Sequence, residues 1–129
     1  MRRILIPVKI MTPQTIRTIR FGQILADTHE ASITLLHVSD RTDAAATRQR
    51  FKEKLKSVIA AGPAVDCTIK MVRHDDPGAV ILSAARHVDL VILRSMRRRT
   101  AGGLAVSDVT HQVLDGLTCS VVLFGERHS

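Results

Sequence analysis

The chain has 129 residues, of which 45% are hydrophobic, and this suits one domain with a buried core better than a disordered segment. Aromatic residues make up only 2%, so the stacking surfaces that bind single-stranded nucleic acid are nearly absent. No run of about 18 apolar residues occurs and the N-terminal apolar run is shorter than a signal sequence, so we expect a cytoplasmic protein without a membrane span. The net charge of +7 favours anionic partners, with nucleic acid bound at most non-specifically through charge.

Apolar runs and helical patterns alternate from the start of the chain. Residues 4–8 form a continuous hydrophobic run, which is typical of a strand buried on both faces. Thr12-Pro13 then supplies an N-cap and a first-turn proline for a helix that extends to about residue 27. A second strand is predicted over 33–38. The amphipathic helix that follows ends at Gly62-Pro63.

The same alternation continues through the second half of the chain. Residues 65–72 alternate as a strand with one polar face, which favours a position near a sheet edge. A helix begins after Asp76, and a fourth apolar strand is predicted over 88–93. Residues 94–107 are predicted as a long polar loop, which leads to the last helix and to a fifth strand over 120–124.

This order of elements predicts the α/β class, with one domain over residues 1–129. We expect a doubly wound sheet of five mainly parallel strands with helices on both faces. A flavodoxin-like strand order is expected, with the order reversing between the first and fourth strands. Ligands of such sheets bind where the order reverses, at the carboxyl ends of the strands. The candidate site therefore lies where residues 8–11 meet the segment 94–108.

Five segments in this order resemble the universal stress protein (UspA-type) family over essentially the whole chain. They are RILIPV at 3–8, ITLLHV at 33–38, HDDPGAVI at 74–81, VDLVIL at 88–93, and VTHQVL at 109–114 continuing to TCSVVL at 118–123. The resemblance implies an adenine-nucleotide-hydrolase-like α/β fold and a stress-related or regulatory role without catalysis. Some members of the family bind ATP, and relatives commonly dimerise.

The ATP-binding members carry Gly-x2-Gly-x9-Gly-Ser/Thr after the fourth strand and an Asp after the first strand. Glycine lets the main chain approach phosphate, whose charge the N–H groups and a helix N-terminus then bind. In this chain Arg94, Arg97, Ser107 and Asp108 stand at the four signature positions, and Lys9 replaces the Asp. Side chains would fill the phosphate space, and Asp108 would place its charge at the helix N-terminus. We therefore expect no ATP binding in the family's usual manner and no cofactor.

The arginine cluster has two interpretations, a solvated basic loop or an anion site. Arginine binds phosphate and carboxylate well, and Lys9 would face the cluster across the strand reversal. The alternative function is therefore a member that binds a nucleotide or polyanion through an Arg-rich loop. The candidate anion or nucleotide site comprises Val8, Lys9, Val38, Arg94, Arg97, Arg98, Arg99, Ser107 and Asp108.

Catalytic and metal-binding patterns are absent from the sequence. The six histidines lack the spacing of a metal site, no Ser lies in a nucleophile motif, and Ser107-Asp108 reads as a helix cap. Cys67 and Cys119 are expected to be buried, reduced thiols. Enzymatic activity is not predicted, although a weak ATP hydrolase or phosphotransferase stays open as an alternative.

The last strand is expected to be a sheet edge, because no helix follows it. An exposed apolar edge favours pairing with a second copy of the chain. The resemblance also implies dimerisation through this strand. We therefore predict a homodimer, with the interface at Val121, Val122, Leu123 and Phe124.

Overall fold

A computed structural model describes residues 2–94, 97–100, 103–106 and 108–124. Strands and helices alternate through this part of the chain, as predicted. The strands are β1 (Arg3–Pro7), β2 (Ser32–Ser39), β3 (Cys67–Arg73), β4 (Leu90–Arg94), β5 (Arg97–Thr100), β6 (Gly103–Val106) and β7 (Ser120–Phe124). The helices are α1 (Pro13–His29), α2 (Ala45–Ala60), α3 (Pro77–Ala85) and α4 (Asp108–Gly116).

Five strands form one parallel sheet in the order β3-β2-β1-β4-β7. The order reverses between β1 and β4, as expected from the sequence. The flavodoxin-like order is wrong in one respect, because it would place the third strand beside the first, whereas β3 lies outside β2. The exposed side chains of Thr68 and Lys70 alternate with half-buried neighbours, so β3 has the polar face that an outer strand tolerates.

Helices cover both faces of the sheet, which confirms the doubly wound class. Ile6 of β1 and Leu55 of α2 belong to the hydrophobic core between the sheet and the α1–α2 pair. Leu5 belongs to the opposite core, with Ile81 of α3 and Val113 of α4. Adjacent residues of β1 thus enter different cores, and this is why the run is apolar at every position.

The predicted helix starts are present at α1 and α3. The Thr12 hydroxyl accepts a 3.2 Å hydrogen bond from the N–H of Thr15, and the Asp76 carboxylate accepts one of the same length from the N–H of Ala79. A proline follows each cap at the first helical position. Together the cap and the proline fix where α1 begins after β1 and where α3 begins after β3.

The prediction of a loop over 94–107 is wrong. β5 and β6 pair in an antiparallel two-stranded sheet, with Arg97 opposite Val106 and Thr100 opposite Gly103. Only two residues separate the strands in the sequence, Ala101 and Gly102, and a two-residue connection containing Gly is a hairpin signal. The Arg-rich segment therefore has regular backbone structure.

Candidate functional site

The strand reversal brings the end of β1 next to the end of β4, and Arg94 lies at that point. The backbone of Arg94 pairs with β7, in register with Phe124. Its guanidinium Nη2 donates a hydrogen bond to the side-chain oxygen of Gln14, the second residue of α1. Its Nε is buried and has no hydrogen-bond partner among the described residues. Arg94 therefore links the end of β4 to the first turn of α1, across the crevice where the resemblance places a glycine.

Lys9 lies apart from this link, in a cavity that we call the α2 cavity. The α2 cavity has a volume of about 410 Å³, and Arg94 is not part of its lining. Its walls come from the end of β1, from β2, from the segment before α2 and from α2. The lining residues are Lys9, His37, Asp43, Thr47, Arg48, Arg50, Phe51 and Lys54. The side chains of residues 97–99 lie outside the described residues, so the placement of Lys9 opposite the arginine cluster stays a prediction.

His37 fixes one wall of the α2 cavity. Its Nδ1 lies 2.8 Å from the carbonyl oxygen of Val8, which can only accept, so Nδ1 carries a proton and donates it there. The ring also stacks on Phe51 of α2, with 4.1 Å between centroids and an angle of 26°. Sequence reasoning placed His37 at the end of the second strand but missed this role. The sequence signal that could have revealed it is strand alternation, which places His37 on the face opposite to that of Leu36 and Val38.

The other predicted site residues are distributed over several places. Val8 is buried in the core on the α1–α2 side, whereas the half-buried Val38 packs in the opposite core. Strand β5 contains Arg97, Arg98 and Arg99, whose side chains are not among those that the structure describes. Ser107 is also outside the described residues, and Asp108 is the first residue of α4. The Arg-rich anion site stays a prediction.

No candidate metal centre is found in the described part of the chain. Within it, no three His, Cys, Asp or Glu side chains are placed to hold a metal ion. Cys67 and Cys119 are free and half-buried, thus less buried than expected. Burial raises the pKa of the Cys67 thiol, and the charge of Asp66 adds to this effect. A raised pKa disfavours the thiolate, which is the nucleophilic form.

Among the helices described here, none has the length and apolar character needed to cross a lipid bilayer.

Comparison with known proteins assigns the chain at the level of family. The model of the universal stress protein family matches residues 1–125. A Na(+)/H(+) antiporter, NhaS5 of Synechocystis sp., is 41% identical over 128 residues, which are 98% of this chain. The chain spans only 18% of the length of that antiporter. The antiporter is thus a much longer protein that contains a region similar to this one.

Solved structures of low sequence identity share the fold. A universal stress protein from Archaeoglobus fulgidus superimposes with a TM-score of 0.79 at 13% identity, covering 95% of this chain and 93% of that one. A universal stress protein from Archaeoglobus fulgidus in complex with dAMP gives a TM-score of 0.73 at 13% identity, covering 95% and 97%. The five-stranded α/β fold and the matched family model agree, and the chain belongs to the universal stress protein family.

Proposed function

We propose that this chain is a non-catalytic regulatory binding module of the universal stress type, in which the family's nucleotide crevice does not accept ATP in the usual manner. The observation that carries the proposal is the hydrogen bond between Arg94 and Gln14. Glycine at position 94 would leave open space beside the main chain, whereas a partly buried guanidinium fills it. The lysine after β1 has the opposite charge to the family's Asp.

A second candidate names the process that the module regulates. The relative with 41% identity is a Na(+)/H(+) antiporter, of which the matching region is a small part. We propose that this chain likewise regulates cation transport across a membrane, as a domain attached to a transporter or as a separate subunit. A test is co-purification of the affinity-tagged chain with a cation/proton antiporter from its native membranes. Recovery of no transport protein would contradict this second candidate.

The crevice proposal is tested by nuclear magnetic resonance, because the location of any bound ATP decides the question. ¹⁵N-labelled protein is titrated with Mg-ATP at an ionic strength of about 0.15 M. We expect the amides of Gln14 and Arg94 to show no saturating, shared shift. A variant that restores the family residues, Lys9→Asp with Arg94→Gly and Arg97→Gly, serves as the comparison. Saturating shifts of Gln14 and Arg94 in the wild-type protein would overturn the proposal.

The absence of catalysis is tested separately from binding. We expect phosphate release from Mg-ATP to stay at the rate of a buffer blank. Turnover that survives repeated purification would instead support the ATP hydrolase alternative. Loss of that turnover in Arg94→Ala would place it in the crevice.

A further inference from the structure

We propose that the α2 cavity binds the polyphosphate group of an anionic ligand, at a place separate from the Arg94–Gln14 link. The first reason is charge. Four of its eight lining residues are cationic, namely Lys9, Arg48, Arg50 and Lys54, and Asp43 is the single carboxylate. Cations gathered around a concave surface raise the local concentration of anions much more than the same charges spread over a convex one.

The second reason is that these cations lack acidic partners. In the described part of the chain, the ion pairs join Arg41 to Asp75 and Lys56 to Glu53. None involves the four cations of the α2 cavity. The Arg48 Nε is moreover buried without a hydrogen-bond partner among the described residues. A buried donor without a partner is costly, and an oxyanion that drew the Arg48 side chain into the cavity would relieve that cost.

The third reason is the start of α2, which borders the cavity at Thr47 and Arg48. The N-cap residue is Ala44, which makes no side-chain capping bond, and the first turn contains no acidic residue. The N–H groups of the first turn therefore lack an acceptor from a capping side chain, and the helix dipole adds positive potential. The uncapped start of α2 adds positive potential to that of the four cations, but by itself it would not define an anion site.

The size of the cavity favours a polyphosphate over a single phosphate. A volume of about 410 Å³ lies within the range of small-ligand sites, which is roughly 300–1,000 Å³. Two arginines can each present paired N–H groups to phosphate oxygens, and two lysines add point charges. The stacked rings of His37 and Phe51 form one wall of the cavity. Free polyphosphate and the phosphate tail of a nucleotide both have the required chemistry.

The experiment compares two variants of the same helix that lose the same charge. Arg48→Gln with Lys54→Gln removes two cations from the α2 cavity. Lys52→Gln with Lys56→Gln removes two from the neighbouring surface beside Cys67 and Ile69. Calorimetric titrations use tripolyphosphate, ATP and sulfate at about 0.15 M ionic strength. Circular dichroism establishes that each variant is folded.

We expect saturable tripolyphosphate binding by the wild-type protein and by the Lys52/Lys56 variant. Binding by the Arg48/Lys54 variant should be at least roughly tenfold weaker, because two charge-assisted contacts are lost. Equal affinity for ATP and tripolyphosphate would support the proposal and would identify free polyphosphate as the ligand. Tighter binding of ATP than of tripolyphosphate would support the proposal and would identify a nucleotide as the ligand. No binding by the wild-type protein, or equal losses in the two variants, would overturn it.

This outcome is independent of the crevice proposal. ATP held in the α2 cavity shifts the amides of Arg48 and Lys54, whereas ATP held in the family crevice shifts those of Gln14 and Arg94. Each proposal can therefore fail without the other.

Discussion

The Nδ1 of His37 lies 2.8 Å from the carbonyl oxygen of Val8, so a side chain of β2 binds the main chain just beyond the end of β1. The N–H of Val8 donates to the carbonyl of Leu36 at 2.8 Å, which continues the pairing of the two strands by one residue. The imidazole thus holds the point from which Lys9 enters the α2 cavity. Because His37 is buried, this contact should contribute measurably to stability.

We expect His37→Ala to lower the free energy of unfolding by about 2–3 kcal/mol, since it removes the hydrogen bond to Val8 and the stacking on Phe51. His37→Asn should recover part of the loss, because its amide can donate to the same carbonyl. The measurement is urea unfolding followed by circular dichroism, because the chain contains no Trp or Tyr. Equal stability of His37→Ala and the wild-type protein would contradict the assigned role.

The fully buried Gln23 joins α1 to α2. Its amide donates a 2.9 Å hydrogen bond to the carbonyl of Ile59, and its side-chain oxygen accepts one of 2.7 Å from Arg20. We expect Gln23→Leu to cost about 1–3 kcal/mol, because similar volume is kept while the hydrogen bonds of Gln23 to Ile59 and Arg20 are both lost. Ile24→Ala, at a neighbouring exposed position, should stay within about 0.5 kcal/mol of wild type in the same urea experiment.

Asp89 is expected to make stability depend on pH. Its carboxylate accepts hydrogen bonds from the N–H groups of Arg2 and Arg3, at 2.8 and 3.0 Å, and these lower the pKa of Asp89. A lowered pKa in the folded state stabilises the protein above the unfolded value of about 3.9. This stabilisation is lost as the pH falls through the lower, folded value.

The stability difference between the wild-type protein and Asp89→Asn should therefore be constant above about pH 5 and shrink below about pH 4. Urea unfolding at a series of pH values measures it. High salt should leave most of the difference in place, because the backbone N–H groups contribute more than the charge of Arg3. A difference that grows as the pH falls would reverse the assigned sign.

Local sequence patterns predict the sheet and its helices well, because strand and cap signals are short-range. The apolar run of β1 and the Thr12-Pro13 start of α1 are both confirmed. The buried face of α1 is predicted less well. Hydrophobicity alone would place Ile16 on the buried side with Ile19, yet Ile16 is 36% exposed and Thr18 is buried. Packing against the sheet decides which side of the helix is covered, and hydrophobicity alone does not encode that choice.

The candidate site is harder to predict, because it depends on which strands become neighbours. The position of β3 outside β2 is set by the sheet as a whole and not by the residues of β3 alone. The cations of α2 lie on the faces left by Phe51 and Leu55, which recur at helical spacing, and so have the pattern of a solvated helix surface. Only the fold shows that Arg48 and Lys54 line a cavity with Lys9, which is about 40 residues away in the sequence.

The last prediction concerns dimerisation through β7, the outer strand of the described sheet. Val121 and Leu123 are 38% and 46% exposed on this strand, and large apolar side chains on a sheet edge favour pairing. We expect the wild-type protein to have the mass of a dimer at micromolar concentration by light scattering. Leu123→Glu should weaken the dimer at least roughly tenfold, because a carboxylate without a partner would be buried in the interface.

Ile24→Glu is the matched control, since Ile24 is 54% exposed on α1 and the substitution adds the same charge. This variant should keep the dimer mass. A monomeric wild-type protein would contradict the prediction. Dissociation of both variants to the same extent would also contradict it, because the added charge and not the edge of β7 would then be the cause. Loss of the dimer in Leu123→Glu alone would instead assign the interface to β7. On this strand Val122 packs inward against the core, so its neighbours Val121 and Leu123 are left for the partner.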